Sequence, residues 1–278
     1  MGIFFTYNDK IYKAGENIIS ADSRALRYGD GLFETMKVSK GRIQLHGYHF
    51  ERLFSGIQIL QFKIPEYFTA AHLQNKIAEL CTKNSTTSSA RIRLMIFRSD
   101  GGLYDLENNY PDYLIQTWSI DNESELNSNG LIIDIYPDAK KSCDVLANIK
   151  SNNFLPYAMA ALYAKKIKVN DCLLLNNYDR ICDSTIANIF LIKDDIIYTP
   201  PLTEGCVAGI IRRFIIERLQ PEFKIIEKPL LITDLENADE VFLTNSIKSI
   251  RWVKQFRNTK YKNHLVKKIF TQLQQLLL

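Results

Sequence analysis

No Cys-x-x-Cys pair occurs in this chain, and its five cysteines (Cys81, Cys143, Cys172, Cys182 and Cys206) are odd in number and widely spaced. That excludes a disulfide framework and a structural zinc site. No Gly-x-Gly-x-x-Gly, Walker A loop, His-Glu-x-x-His helix or nucleophile elbow is present, and His46 and His49 are too isolated to form a metal pair. No apolar run reaches membrane-spanning length. The first ten residues lack the long apolar core of a signal peptide. Repeats and low-complexity tracts are also missing. Net charge is small, 35 basic against 31 acidic residues or +4, too little to argue for nucleic acid. The basic residues that thicken from Lys248 to Lys268 alternate with Ile250, Trp252, Val253, Phe256 and Tyr261, which reads as the wet face of packed structure; the minority reading is a nucleic-acid patch. These absences point to a soluble cytoplasmic protein with no metal, no membrane and no nucleic-acid partner.

What is present is an ordinary globular balance, 46% hydrophobic and 24% charged, in 278 residues. That is enough for one large or two ordinary domains. Residues 121–130 are polar with almost nothing to bury, so they are the expected linker between domains at 1–120 and 131–278. Short strands are expected at 3–7 and 10–13, and a longer one at 32–38 after the tight turn at Gly29-Asp30-Gly31. Phe50, Leu53, Phe54, Ile57 and Leu60 recur at helical spacing with Arg52 off the stripe. Helices are also expected at 69–83, 156–168, 209–219 and 262–277. Strands are expected at 90–97, 113–118, 131–136, 172–175, 181–192, 196–198 and 240–243.

Lys150 stands out. Val145, Ala147 and Ile149 alternate with Leu146, Asn148 and Lys150, so the lysine closes an apolar, strand-like run. An ammonium there should pair or lose its proton, as carbonyl chemistry with an amine requires. The bland alternative is an edge-strand lysine that snorkels into water. Asp183 lies in another strongly apolar run and needs a cationic or hydrogen-bonding partner, or else it is a strand-end aspartate bonded to nearby amides. Gly205 to Arg213 is a loop running into a helix whose free amides suit a phosphate, and Thr244-Asn245-Ser246 offers hydroxyls after a strand.

A lysine for an aldehyde, a carboxylate for a pyridine nitrogen and an anion cradle together fit pyridoxal phosphate. In Tyr28-Gly29-Asp30-Gly31-Leu32-Phe33-Glu34-Thr35, His49-Phe50-Glu51-Arg52-Leu53, Ile149-Lys150-Ser151-Asn152-Asn153, Asp183 to Phe190, Thr199-Pro200, Gly209 to Arg212 and Thr244-Asn245-Ser246, the chain resembles the fold type IV pyridoxal-phosphate enzymes. These include branched-chain aminotransferases, D-amino acid aminotransferases and 4-amino-4-deoxychorismate lyases.

The resemblance covers nearly the whole chain. It implies a two-domain α/β (α+β) fold with the cofactor in the interdomain cleft, and a homodimer. By it, Lys150 forms the Schiff base and then moves the substrate's Cα proton, with Asp183 at the ring nitrogen. Arg52, the amides of Ile210 and Ile211 and the hydroxyl of Ser246 hold the phosphate, and Asn188 falls within the cofactor-binding segment. Tyr28, Lys37 and Arg98 are the candidates for contacting substrate.

Two positions depart from the pattern. The family usually has Glu at Asp183 and often Thr at Ile211, so the ring must shift or a water must bridge, and one hydroxyl is lost. Phe154, in the neighbourhood where a tyrosine often touches the ring, cannot donate a phenol hydrogen bond.

The loop at 98–104 has no histidine, which argues against the Arg-x-His carboxylate trap of the D-amino acid enzymes. The favoured activity is aminodeoxychorismate lyase, eliminating pyruvate to give 4-aminobenzoate for folate synthesis. The alternatives are a branched-chain-type aminotransferase and an inactive binding homologue.

Overall fold

The computed structural model describes residues 2–104, 108–121 and 125–277. The chain divides into two compact units, Met1–Asn122 with Lys150–Asn153, and Glu123–Ile149 with Phe154–Leu278.

The first unit runs β1 (Phe4–Tyr7), β2 (Lys10–Lys13), α1 (Arg24–Tyr28), β3 (Gly31–Ser39), β4 (Arg42–Ile43), α2 (His46–Ile59), α3 (Ala70–Lys83), β5 (Ser89–Arg98) and β6 (Pro111–Ser119). Its antiparallel six-stranded sheet has the order β2-β1-β6-β5-β3-β4. Period-two alternation decides which face is covered. Met36, Ile92 and Leu94 are fully buried, and so are Leu53 and Ile57 of α2 and Leu73 and Leu80 of α3. Helix α2 lies against β3, and α3 against β1 and β6. Thr69 caps α3 by accepting the His72 amide.

The opposite face of β3 and β5 carries Phe33, Thr35 and Lys37 paired across to Met95, Arg93 and Arg91. Beyond β4, which pairs only with Val38 and Ser39, the free edge of β3 is closed by the Lys150 segment. Phe33 N–H donates to Lys150 O and Asn152 N–H to Gly31 O, both at 2.9 Å. Leu32 bridges Ser151. The lysine expected within the C-terminal domain is therefore a member of the first unit, held there by backbone hydrogen bonds.

The second unit runs β7 (Leu131–Lys141), α4 (Leu155–Lys166), β8 (Asp171–Asn176), β9 (Ile181–Ser184), β10 (Asn188–Lys193), β11 (Ile196–Thr199), a 3-10 turn at Leu202–Glu204, α5 (Ile210–Leu219), β12 (Ile225–Glu227), α6 (Ile232–Glu236), β13 (Glu240–Asn245), β14 (Ser249–Phe256), β15 (Thr259–Lys260) and α7 (His264–Leu277). The sheet order is β12-β11-β10-β13-β14-β7-β8-β9, with β15 on β14. Strand β8 is buried throughout, as an inner strand covered on both faces should be. One face packs Ile133, Leu173, Leu191, Val241, Val253 and Phe256 together. The other gathers Tyr136, Tyr157, Ala160, Cys172 and Leu174 under α4. Cross-strand partners Phe190 and Phe242 stack with ring centroids 4.8 Å apart.

Three expectations change. The run at 145–150 is a turn and not a strand. Asp144 Oδ1 accepts the amides of Leu146 and Ala147, and Val145 and Leu146 are exposed. The run at 181–192 is two strands, parted where Thr185 donates its N–H and hydroxyl to Asp171. The expected linker is only partly free. Residues 122–124 lie outside the described residues, but Asn127 exchanges hydrogen bonds with the backbone of Trp252 on β14, at 3.1 and 2.9 Å.

Candidate active site

In the first unit, Glu34 of β3 is the hub. Its Oε1 accepts Arg52 Nε at 2.7 Å, its Oε2 accepts Arg52 Nη2 at 2.6 Å, and His49 Nδ1 lies 2.6 Å from the same Oε2. His49 and Arg52 are three residues apart on α2, so one turn of helix presents both to one carboxylate. Burial pushes the Glu34 pKa up, but the charges and hydrogen bonds of Arg52 and His49 outweigh it and bring it to about 2. Glu34 thus fixes the direction of the Arg52 guanidinium by holding its Nε–Nη2 edge.

Lys150 is half-buried, and its Nζ lies 4.6 Å from the centroid of Phe33. The Arg93 guanidinium lies 4.1 Å from the same ring. Burial and nearby Arg91 lower the Arg93 pKa, and Arg93 has no carboxylate partner among the described residues. Lys37 sits on the same sheet face, paired across to Arg91. Tyr28 ends α1 with Arg27 over its ring.

Arg98, expected as a substrate contact, is instead buried and engaged at every guanidinium nitrogen. Nε donates to Asn109, Nη1 to Asp30 and Nη2 to the Leu60 carbonyl, with Phe62 beneath. Its donors are thus committed within the fold, whereas Arg93 and Lys150 share the Phe33 ring. Arg93 is not singled out by the sequence, although strand alternation already puts it on the face opposite Ile92 and Leu94.

In the second unit, Asp183 is buried on β9, and three donors meet at its Oδ2: Lys141 Nζ at 3.0 Å, Tyr157 Oη at 3.1 Å and Val207 N–H at 3.0 Å. Its Oδ1 is buried with no hydrogen-bond partner among the described residues. An unpartnered buried carboxylate oxygen is an acceptor still to be satisfied, which fits the protonated ring nitrogen of pyridoxal phosphate. Tyr157 stacks on Phe154 with centroids 4.5 Å apart, so the phenol that Phe154 lacks is present nearby and serves the carboxylate.

Asn188 Nδ2 donates to Val207 O at 2.8 Å and so holds the loop before α5. Gly209 is the N-cap of α5 without a side-chain cap, and a Cβ there would strike Asn188 Oδ1. The following amides, of Ile210 and Ile211, belong to the first turn, whose N–H groups have no intrahelical acceptor and suit an anion. The side chain of Ile211 is buried, so only its amide can serve. Ser246 is half-buried in a turn built on Asn245 Oδ1, and Thr244 Oγ1 nearby in sequence is buried without a partner among the described residues.

Arg52 and Lys150 therefore belong to the first unit, and Asp183, Asn188, Ile210, Ile211 and Ser246 to the second. Among the described residues no cluster of His, Cys, Asp and Glu could hold a metal, and no helix is long and apolar enough to cross a membrane.

The aminodeoxychorismate lyase of Vibrio harveyi is 28% identical, over 81% of this chain and 82% of its own length. A putative branched-chain-amino-acid aminotransferase of Methanocaldococcus jannaschii is 28% identical over 87% of this chain and 85% of its own. The crystal structure of a branched-chain aminotransferase from Thermoproteus uzoniensis with norvaline superposes with a TM-score of 0.89 at 20% identity, covering 100% of this chain and 95% of that one, which shows a common fold. The family model described as amino-transferase class IV matches residues 31–256, so the chain belongs to the class IV aminotransferases, the pyridoxal-phosphate-dependent family of fold type IV.

Proposed function

We propose that the chain is an aminodeoxychorismate lyase, which removes pyruvate from 4-amino-4-deoxychorismate and releases 4-aminobenzoate for folate synthesis. The observation that carries this reading is the similarity to the Vibrio harveyi lyase along most of both chains. Two features support it. The segment 98–104 holds no histidine for an Arg-x-His carboxylate trap. Arg93, a partly buried guanidinium on the ring that Lys150 also touches, suits a substrate bearing carboxylates.

Pyridoxal phosphate, when bound, supplies an electron sink for the carbanion formed beside the substrate's amine. Lys150 Nζ would hold its aldehyde carbon and would serve as the base that takes the substrate's Cα proton. Asp183 Oδ1 would accept from the ring nitrogen. Arg52, the Ile210 and Ile211 amides and Ser246 would bind the phosphate, with Glu34 fixing the direction of Arg52. Arg93 orients a substrate carboxylate. The enzyme works as a homodimer in the cytoplasm.

The test is to supply chorismate, ammonia and the amidating partner enzyme, then measure 4-aminobenzoate and pyruvate. The second reading, a branched-chain-type aminotransferase, is favoured by the Methanocaldococcus jannaschii relative. Transamination of amino acid and keto acid pairs without release of 4-aminobenzoate would establish it and reject the lyase.

A further inference from the structure

The two oxygens of Asp183 are treated differently. Lys141 Nζ, Tyr157 Oη and Val207 N–H all donate to Oδ2, and Lys141 Nζ also donates to Tyr157 Oη. Oδ1 receives nothing among the described residues. The Lys141 side chain is 8% exposed and that of Asp183 3%, and the Lys141 ammonium also lies 4.9 Å from the Tyr157 ring centroid.

Burying an ammonium and a carboxylate together is costly, and removing either one strands the other. A fixed interaction of this kind has one clear geometric consequence. With Oδ2 tied down by three donors from β7, α4 and the loop before α5, the side chain cannot rotate its oxygens into each other's place. The position is also where an aspartate stands for the usual, longer glutamate, so free rotation would matter more.

We propose that Lys141, together with Tyr157, is a positioning residue for cofactor binding: it compensates the buried charge of Asp183 and pins Oδ2, so that Oδ1 alone is presented to the ring nitrogen of pyridoxal phosphate. The inference rests on the cofactor reading above but adds residues that the reading does not need. Neither residue touches the cofactor in this account. Both act through Asp183.

The experiment measures the affinity of the apoenzyme for pyridoxal phosphate and for its 1-deaza analogue, in which a C–H replaces the ring nitrogen. The ratio of the two dissociation constants reads the contact to Oδ1 alone. Wild type should prefer pyridoxal phosphate, and Lys141→Met should cut that preference at least tenfold. Lys141→Arg, which keeps a cation, should hold it within threefold of wild type. Asp183→Asn should lose the same preference, and adding Lys141→Met to it should change the ratio no further.

If Lys141→Met weakens both ligands by the same factor, Lys141 only supports the fold and the inference is overturned. An unchanged ratio with unchanged affinities overturns it too. Should Lys141→Met not fold, Tyr157→Phe decides: a threefold or larger loss of preference supports the pinning, and equal weakening contradicts it. Failure of the wild-type apoenzyme to bind pyridoxal phosphate at all would instead refute the cofactor reading, and this inference with it.

Discussion

Glu34 grips Arg52 by two guanidinium nitrogens, Nε at 2.7 Å and Nη2 at 2.6 Å, from a position almost wholly out of water. A guanidinium held this way has its direction fixed before any anion arrives, so orienting it costs nothing further on binding. Glu34→Gln replaces one charged acceptor by an amide donor facing another donor. We expect a loss of roughly 2–4 kcal/mol of folding stability in urea, since breaking a buried pair leaves an uncompensated charge. Cofactor affinity should fall by about tenfold, the size of one charge-assisted hydrogen bond.

Glu34 also sets an acid limit. Its pKa is about 2 in the folded chain against an ordinary 4.5, so the folded state releases this proton more readily than the unfolded one. The stabilisation is complete above the unfolded value and disappears as pH falls through the folded one, a contribution of about 3 kcal/mol. Stability measured by denaturant between pH 5 and 2 should therefore drop steeply in wild type. The same curve should be flatter in Glu34→Gln.

Gly31 permits the close approach that holds the lysine segment. A Cβ there would collide with the Ile96 carbonyl oxygen and with Asn152 Nδ2. Gly31→Ala should therefore dislodge Lys150–Asn153 from the edge of β3, where Gly31 O now accepts Asn152 N–H. We expect destabilisation of about 1–3 kcal/mol, as for other overpacked sites. Covalent capture of the cofactor should slow, measured by the rate at which its visible absorption develops.

Arg93 provides a test separate from cofactor binding. Arg93→Leu should raise KM for a carboxylate substrate at least tenfold, with a smaller effect on kcat, because it removes binding shared by ground state and transition state. Cofactor affinity should stay within about threefold, given that no phosphate or ring contact is assigned to it. Steady-state kinetics and cofactor titration on the same preparation check both halves.

What could be read from the sequence was whatever depends on short-range periodicity. Phe50, Leu53 and Ile57 announced α2, and Ile92, Leu94 and Ile96 announced β5 with its buried side. The same rule misread Val145 to Lys150, because alternation over six residues cannot see that Asp144 folds the backbone onto itself. An aspartate just ahead of such a run was the available signal. Lys150 and Asp183 stood out as polar groups in apolar surroundings. Lys141 and Tyr157 did not, because nothing local shows that residues 42 and 26 positions away in sequence converge on one carboxylate oxygen. The engagement of Arg98 was hidden for the mirror reason. Its partners Asp30 and Asn109 come from different segments, and only the fold reveals that the guanidinium is already spent.

The most direct test of the account is where the cofactor becomes attached. Protein loaded with pyridoxal phosphate, reduced with borohydride and digested should yield a phosphopyridoxyl group on the peptide containing Lys150, and on no other lysine. Lys150→Ala should bind no colour and give no such peptide. A modified peptide that maps to a different lysine, or the absence of any modified peptide from the wild-type protein, would contradict it.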